Sequence, residues 1–458
     1  MTQTRQLFGT DGIRGVAGEF PLTRDSVYLI GRALGHDLVR TNAKARAVIG
    51  QDTRESSCWI ADRMWQGLAA AGVEVCSAGV ITTPGVAYLA RAQKFEAGVV
   101  ISASHNPWTD NGIKVFSGDG YKLPDAHELA IEKEIFALLN DADALPGVDS
   151  TPPIASLPGE AELRHAYVRW LGGSVTTDLS RLRVAVDCAN GAAAAEAPEL
   201  FRELKVETAF LHCTPDGQNI NEGCGALHPE TVARFVSKNQ GTFDLGVTFD
   251  GDADRALFSD AEGRVVNGDA VLLLAACELQ AHGTLANATV VATTMSNMGL
   301  ELALKRFGIR MLRANVGDKY VLEEMQRVGA TLGGEQSGHI LFRDGDATTG
   351  DGLLTAMRVM EIMVRSGKSL AELVGDLKVF PQVIRNVRVR EKTPFVQIPA
   401  VQAAIRDAER ELDGIGRVVV RYSGTEALAR VMIEAESKEQ MDRLAESIVD
   451  AIRTALGA

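Results

Sequence analysis

Three aspartates occupy alternate positions in the stretch TFDGDADRALF, directly after the apolar run LGVTF. In an extended or tightly looped segment, alternate side chains share one side, so Asp250, Asp252 and Asp254 can converge. Three carboxylates held close together repel one another, and a hard divalent cation such as Mg²⁺ takes oxygen ligands of this kind. The stretch therefore predicts a magnesium site followed by the cation Arg255, with a solvated acidic turn as the alternative.

A serine stands where an apolar strand should end, in the stretch VVISASHNPWTDNGIKVF at residues 99–116. Ser104 is followed at once by His105, and Lys114 lies further along the same stretch. No G-x-S-x-G pattern surrounds any serine, which argues against the usual hydrolase nucleophile. A phosphorylated Ser104 would begin as a leaving group, which needs a metal and positioning more than a base. A helix N-cap or turn serine is the alternative.

Two later stretches carry groups suited to a sugar phosphate. TLGGEQSGHILF places Glu335, Ser337 and His339 on alternate positions, where Glu and Ser suit vicinal hydroxyls, although a glycine-rich turn explains it equally well. RYSGTEALAR lies between two strand-like runs and favours a phosphate clamp over an ordinary hairpin loop. The donors of that clamp would be Arg421, Ser423, the Gly424 amide, Thr425 and Arg430.

The elements that must position these groups alternate between strands and helices. Short β-branched runs at 98–107, 182–200 and 289–304 each end in a polar or small loop followed by a helical pattern. Such units predict parallel or mixed sheets covered by helices, with ligands at the carboxyl ends of the strands. The C-terminal part instead predicts an α+β module; its strands are expected at 383–390, 416–422 and 428–435 and its helices at about 397–412 and from Met441 onward.

Proline-rich and turn-forming stretches predict four domains, with bounds at 1–155, 156–259, 260–378 and 379–458. The net charge of −13 over 458 residues disfavours nucleic acid and anionic membranes as partners, although a small anionic ligand remains compatible. Six scattered cysteines without a C-x-x-C pair indicate reduced thiols. No run approaches the ~20 apolar residues of a membrane span, so we expect a cytoplasmic protein.

Five stretches together resemble the α-D-phosphohexomutase superfamily, in this order and over the whole chain: FGTDGIRG, SASHNP, DGDADR, GEQSGH and RYSGTE. The resemblance implies three related α/β sandwich domains and a C-terminal domain shaped like the TATA-binding protein, arranged around a central cleft. It also implies a phosphoserine at Ser104 and one Mg²⁺ per subunit, held by that residue and the three aspartates. The chain departs from the usual pattern at Trp108, Lys319 and Ala427.

The matched positions imply a role for each residue. The implied catalytic set is Ser104, Lys114, His339, Arg14 and Arg255. The implied substrate-binding set is Thr10, His105, Glu335, Ser337, Arg421, Ser423, Gly424, Thr425 and Arg430. Among these, Lys114 and His339 match positions proposed for proton transfer.

The implied reaction interconverts glucosamine 6-phosphate and glucosamine 1-phosphate through a 1,6-bisphosphate, a step toward UDP-N-acetylglucosamine and cell-wall precursors. Mannose or glucose phosphates are the alternative substrates, and a non-catalytic hexose-phosphate sensor is the remote alternative. The resemblance is compatible with a homodimer, but no feature of the sequence sets the oligomeric state.

Overall fold

A computed structural model describes residues 6–9, 11–141, 143–145, 159–343, 345–423 and 427–457. The chain divides into two compact units: residues 1–293 and 312–374 form unit 1, and residues 294–311 and 375–458 form unit 2. Among the described residues, no helix combines the length and apolar character needed to cross a membrane.

The first sheet of unit 1 contains the strand that leads to Ser104. Its region comprises β1 (Phe8–Gly9), β2 (Gly12–Val16), α1 (Arg24–Thr41), β3 (Arg46–Gln51), α2 (Glu55–Ala70), β4 (Glu74–Val80), α3 (Thr83–Ala92), β5 (Ala97–Ile101), β6 (Asp110–Ser117) and α4 (Asp125–Leu139). The six strands run in the order β1-β2-β6-β5-β3-β4. Every residue of β5 is buried, as its continuous apolar sequence AGVVI predicts for a strand covered on both faces.

The chain after β5 returns as a strand, so the helix expected after the run at 98–107 is wrong. Two tight turns reverse the direction: the Asn106 amide donates to the Ala103 carbonyl at 3.1 Å and the Asp110 amide donates to the Pro107 carbonyl at 3.1 Å. Pro107 also disfavours a helical conformation in the residue before it. The returning β6 pairs antiparallel with β5, with Ile101 opposite Ile113.

The second sheet contains the strand that leads to the three aspartates. Its region comprises α5 (Glu160–Ser174), β7 (Arg183–Asp187), α6 (Ala193–Glu203), β8 (Glu207–Leu211), α7 (Glu230–Lys238), β9 (Leu245–Phe249), β10 (Ala256–Asp260) and β11 (Val265–Val266). The order is β11-β10-β9-β7-β8, with β7 parallel to both β8 and β9. The helix expected to follow the strand-like start of the stretch 182–200 is confirmed as α6.

The third region contains a four-stranded sheet in which β14 leads to Glu335. It comprises α8 (Gly268–Ala281), β12 (Thr289–Thr293), β13 (Arg310–Ala314), α10 (Asp318–Val328), β14 (Leu332–Gly334), β15 (Ile340–Phe342), α11 (Gly352–Ser366) and α12 (Leu370–Val374). Between β12 and β13, α9 (Met298–Arg306) belongs to unit 2. The strand order is β13-β12-β14-β15. The start of α11 supports the aspartate loop, because the Gly352 amide donates to the Ala253 carbonyl at 2.9 Å.

Unit 2 contains the predicted α+β module. Its C-terminal elements are β16 (Gln382–Arg388), α13 (Pro399–Glu411), β17 (Gly416–Tyr422), β18 (Leu428–Ala435) and α14 (Lys438–Leu456). The sheet is antiparallel in the order β16-β18-β17, so the expected strands, helices and strand direction are confirmed. The inward face of α14 packs Leu444, Ile448 and Ile452 against buried Val431 and Ile433 of β18, the helical spacing predicted from the sequence.

Asp351 links two helices of unit 1 and is a buried titratable group. Its carboxylate accepts hydrogen bonds from the Leu354 amide at 2.9 Å and from the Tyr167 hydroxyl at 2.8 Å. Burial raises the pKa of Asp351 to about 6. Because the folded-state pKa lies above the ordinary value, the stabilisation is fully present below about pH 4 and is lost as the pH rises through about 6.

We expect the wild type to lose stability relative to Asp351→Asn as the pH rises from about 4 to about 7. The loss is on the order of 3 kcal/mol, because the pKa is raised by about two units. Urea unfolding of both proteins at several pH values measures the difference. A difference that stays constant over this range contradicts the assignment.

Candidate active site

Ser104 lies just beyond the end of β5, with its side chain buried. Its backbone adopts the left-handed conformation, with φ of +53°. Its hydroxyl donates a hydrogen bond of 2.5 Å to Oδ2 of Asp250, which directly follows β9 in the second sheet. The carboxyl ends of strands in two different sheets therefore bring the serine and the first aspartate into direct contact.

The three aspartates converge, as their alternate spacing predicts. One carboxylate oxygen from each of Asp250, Asp252 and Asp254 lies within 4.8 Å of the others, and all three residues are buried. Burial, followed by repulsion from Asp254 and Asp252, raises the pKa of Asp250 well above its usual range. The solvated acidic turn is thus excluded, because these carboxylates are inside the protein.

The aspartate cluster fits a divalent metal ion. The Oδ1 atoms of Asp252 and Asp254 are buried and have no hydrogen-bond partner within the described part of the chain. Buried oxygen atoms of this kind are normally satisfied, so they indicate an absent ligand. A set of carboxylate oxygens is also the chemistry that Mg²⁺ prefers.

Lys114 on β6 partly balances this negative charge. Its Nζ lies 2.7 Å from Oδ2 of Asp252, 3.4 Å from Oδ2 of Asp254 and 3.0 Å from Oδ2 of Asp11. Burial alone would lower the pKa of Lys114, but Asp11, Asp252 and Asp254 raise it well above its usual range. Lys114 is therefore a cation in this arrangement.

The two histidines of the site differ in charge at neutral pH. His339 lies between Asp254 and Asp318, with Nδ1 at 3.6 Å and Nε2 at 3.7 Å from their carboxylates. Burial opposes the charge of His339, but Asp254 and Asp318, together with Glu335, raise its pKa to about 9. Burial, with Arg255 and Arg14, lowers the pKa of His105 to about 4. His105 is thus neutral beside Ser104, with its Nδ1 at 3.2 Å from Oγ.

A cavity of about 420 Å³ in unit 1 adjoins these groups. Six of the predicted site residues line it: Arg14, His105, Asp254, Arg255, Glu335 and His339. Glu335 is oriented by the Gly317 amide, which donates to its Oε1 at 2.9 Å, and the Ser337 hydroxyl lies 3.4 Å from its Oε2. The cavity thus combines two arginines with the Glu335 carboxylate, which are groups suited to phosphate and to sugar hydroxyls.

The predicted phosphate clamp lies in unit 2. Arg421 on β17 and Arg430 on β18 are directly opposite each other in the sheet. Both line a cavity of about 300 Å³ together with Asn386 and Met432. Ser423 follows β17 directly, whereas Thr10, Gly424 and Thr425 lie outside the described residues.

Three charged residues of the site were missed by the sequence analysis: Asp11, Lys122 and Asp318. Nζ of Lys122 donates to Oδ1 of Asp11 and to Oδ2 of Asp318, both at 2.6 Å. Lys114, Lys122 and Arg14 hold the pKa of Asp11 well below its usual range in spite of its burial. The only signal for Asp11 was its place within FGTDGIRG, and Lys122 stood in no motif.

Comparison with known families gives one consistent result over the whole chain. Residues 5–141, 165–263 and 267–380 match the alpha/beta/alpha domains I, II and III of phosphoglucomutase/phosphomannomutase, and residues 385–451 match its C-terminal domain. The chain belongs to this family of phosphohexomutases. The predicted four-domain fold class and the predicted class of enzyme, a mutase, are thereby confirmed.

Curated relatives narrow the comparison to one kind of phosphohexomutase. The chain is 63% identical to the phosphoglucosamine mutase of Koribacter versatilis, over 99% of this chain and 98% of the relative. It is 54% identical to the phosphoglucosamine mutase of Solibacter usitatus, over 99% of each chain.

Solved structures share the fold over nearly the full length. A phosphoglucomutase/phosphomannomutase family protein from Burkholderia thailandensis has a TM-score of 0.79 at 26% identity, covering 98% of this chain and 97% of the other. The N-acetylphosphoglucosamine mutase of Aspergillus fumigatus, solved with GlcNAc-6P and magnesium, has a TM-score of 0.67 at 20% identity, covering 99% and 96%. At 20% identity, the similarity to the Aspergillus fumigatus structure shows a shared fold.

Replacing Asp252 with Asn should weaken binding of divalent cations, because the substitution removes one buried negative charge and replaces one carboxylate oxygen with an amide nitrogen that does not bind such cations. We expect the affinity for Mn²⁺, used as a probe, to fall by at least about tenfold. Titration followed by electron paramagnetic resonance measures the free ion. Asp413→Asn, an exposed residue of unit 2, is the control for the change in net charge. Equal affinities in the wild type and Asp252→Asn would show that the cluster is not the metal site.

Proposed function

We propose that this chain interconverts glucosamine 6-phosphate and glucosamine 1-phosphate through a phosphorylated Ser104. This proposal rests mainly on the 2.5 Å contact between the Ser104 hydroxyl and Oδ2 of Asp250, at the edge of a buried carboxylate cluster. A hydroxyl in this place can carry a phosphoryl group next to a metal site. The name shared by the two bacterial relatives supports an amino sugar as the substrate.

The first half of the proposed reaction moves the phosphoryl group from Ser104 to the sugar. The bond between Oγ and phosphorus breaks while the 1-hydroxyl oxygen of glucosamine 6-phosphate bonds to phosphorus. The proton of the sugar hydroxyl passes to a proton-transferring side chain of the site, and the Ser104 oxygen receives one from such a side chain, so no proton is gained or lost overall. Bound Mg²⁺, held by Asp250, Asp252, Asp254 and the phosphoserine, would offset negative charge on the transferring group.

The second half returns a phosphoryl group to the enzyme. The 1,6-bisphosphate turns within the cavity so that its 6-phosphate faces Ser104. The Ser104 oxygen then bonds to that phosphorus while the bond to the 6-oxygen breaks. The proton of the Ser104 hydroxyl is lost, the 6-oxygen gains one, and glucosamine 1-phosphate leaves. Reversal of a two-ended ligand requires a second phosphate grip, which we assign to the loop from Arg421 to Arg430.

The charges of the site support distinct roles for its residues. We assign proton transfer to Lys114 and His339, both of which carry a positive charge beside the aspartates. A cation that gives its proton to the departing oxygen becomes neutral and can then accept the proton of the attacking hydroxyl. Arg14 and Arg255 line the cavity and would bind the transferring phosphoryl oxygens. The Glu335 carboxylate would accept hydrogen bonds from the sugar hydroxyls, and the Ser337 hydroxyl would donate one to them.

We propose that the enzyme acts in the cytoplasm and binds one Mg²⁺ per subunit. Its product would be used for the synthesis of UDP-N-acetylglucosamine. Because the family description covers phosphoglucomutases and phosphomannomutases, turnover of a neutral sugar is the second candidate activity.

The serine itself can be tested by Ser104→Ala. We expect mutase activity with glucosamine 1,6-bisphosphate as primer to fall below detection, because no oxygen remains to carry the group. A coupled assay for glucosamine 1-phosphate measures the rate. Ser117→Ala, at the far end of β6, is the control and should retain activity. Wild-type rates in Ser104→Ala would refute the proposed carrier.

The substrate can be tested by comparing turnover of glucosamine 6-phosphate, glucose 6-phosphate and mannose 6-phosphate. We expect the highest kcat/KM with glucosamine 6-phosphate. A higher value with either neutral sugar would leave the mutase chemistry in place and refute the amino-sugar assignment.

A further inference from the structure

Two side chains, one from the first sheet region and one from the second, hold the backbone around Ser104. Nη2 of Arg54 donates to the Ser104 carbonyl at 3.0 Å and to the Asn106 carbonyl at 2.7 Å. Nδ2 of Asn221 donates to the same two carbonyls, at 2.9 Å and 3.2 Å. Each carbonyl therefore receives one donor from the first sheet region and one from the second.

The Ser104 backbone has a conformation that requires such support. A φ of +53° is uncommon for a residue with a side chain and is disfavoured without surrounding contacts. Gly251 also packs against this backbone, because a Cβ built on it would lie 2.4 Å from the Ser104 carbonyl oxygen and 2.9 Å from Nδ2 of Asn221. Gly251, between Asp250 and Asp252, therefore packs closely against the Ser104 carbonyl.

Arg54 fixes the loop to its own sheet. Its guanidinium is fully buried and pairs with Asp52, which also accepts from the Ser102 hydroxyl at 2.6 Å. Oγ of Ser102 in turn accepts from the Ser104 amide at 2.9 Å. These bonds hold Ser104 against β5 but do not connect it to the aspartates.

Asn221 lies in the segment after β8 and is connected to the aspartate loop through the loop that follows β7. The backbone amide of Asn221 donates to the Ala189 carbonyl at 2.9 Å, in the loop that follows β7. In the same loop, the Ala192 amide donates to the Gly251 carbonyl at 2.8 Å. One continuous set of hydrogen bonds therefore joins the aspartate loop, through Asn221, to the backbone of Ser104.

We propose that Asn221 is a positioning residue that sets the distance between Ser104 and the three aspartates. This inference rests on the proposed function, in which Ser104 carries the phosphoryl group to be transferred. Asn221 does not line the 420 Å³ cavity, so its loss should slow the transfer without changing the affinity for the sugar phosphate. Displacement of a reacting group by about 1 Å can reduce the rate by about 100-fold.

Asn221→Gly removes the donor with little effect on the backbone. Asn221 has a φ of +59°, which glycine adopts freely, and both carbonyls keep their bond to Arg54. Asn287→Gly is the matched control: Asn287 has a φ of +55°, and its Nδ2 donates to the Val328 carbonyl at 3.0 Å, in the third sheet region.

The experiment measures kcat, the Kd for glucosamine 6-phosphate and the thermal midpoint of unfolding for the wild type and both variants. For Asn221→Gly we expect kcat to fall between about 10- and 100-fold with Kd unchanged, and Asn287→Gly should keep the wild-type kcat. A wild-type kcat in Asn221→Gly, an equal loss in Asn287→Gly, or a loss confined to Kd would overturn the inference.

Asn221→Asp provides a second test if the glycine variant does not fold. Aspartate has the same size and tolerates the left-handed conformation, but it presents an acceptor to the two carbonyls. It should reduce kcat at least as far as glycine does, and a wild-type kcat in this variant overturns the inference. A wild type without mutase activity would instead refute the proposed function, so the two failures are distinguishable.

Discussion

The close approach of three buried carboxylates is the constraint on which the rest of this structure depends. Asp250, Asp252 and Asp254 repel one another inside the protein, so positive charge must reach them from elsewhere in the fold. Lys114 lies on β6, His339 lies just before β15, and Nε of Arg255 lies 3.7 Å from Oδ1 of Asp254. A phosphoserine would add further negative charge and a bound metal ion would add positive charge. The cationic side chains of the site would help to balance the negative charge of the aspartates and of the phosphoserine.

The sheets meet this constraint by placing their polar loops at the ends of strands. His105 lies beyond the end of β5, Asp254 beyond β9 and Glu335 beyond β14, so residues far apart in the sequence line one cavity. Lys122 joins Asp11 of the first region to Asp318 of the third, and the Gly352 amide supports the aspartate loop from α11. The chemistry is therefore carried by short loops on rigid strands, which favours precise positioning of the reacting groups.

The sequence predicted much of this arrangement, because its signals are local. Alternate spacing was sufficient to predict the convergence of the aspartates, and strand-like runs predicted the C-terminal sheet. The turn after β5 was mistaken for a helix start, since the pairing of β6 with β5 depends on contacts that no local pattern records. Arg54, Asn221 and Lys122 were missed for the same reason, because each acts through a partner more than forty residues away or in another sheet.

The central claim is that the oxygen of Ser104 and the aspartate cluster act on one phosphorus atom. The ³¹P resonance of the phosphorylated enzyme tests it most directly when Mn²⁺ replaces Mg²⁺, because a paramagnetic ion broadens the signals of nuclei only a few bonds or ångströms away. The account predicts one phosphoserine signal, assigned to Ser104, that broadens strongly as Mn²⁺ fills its site. A phospho-Ser104 signal that stays sharp with the ion bound to the aspartates would contradict it.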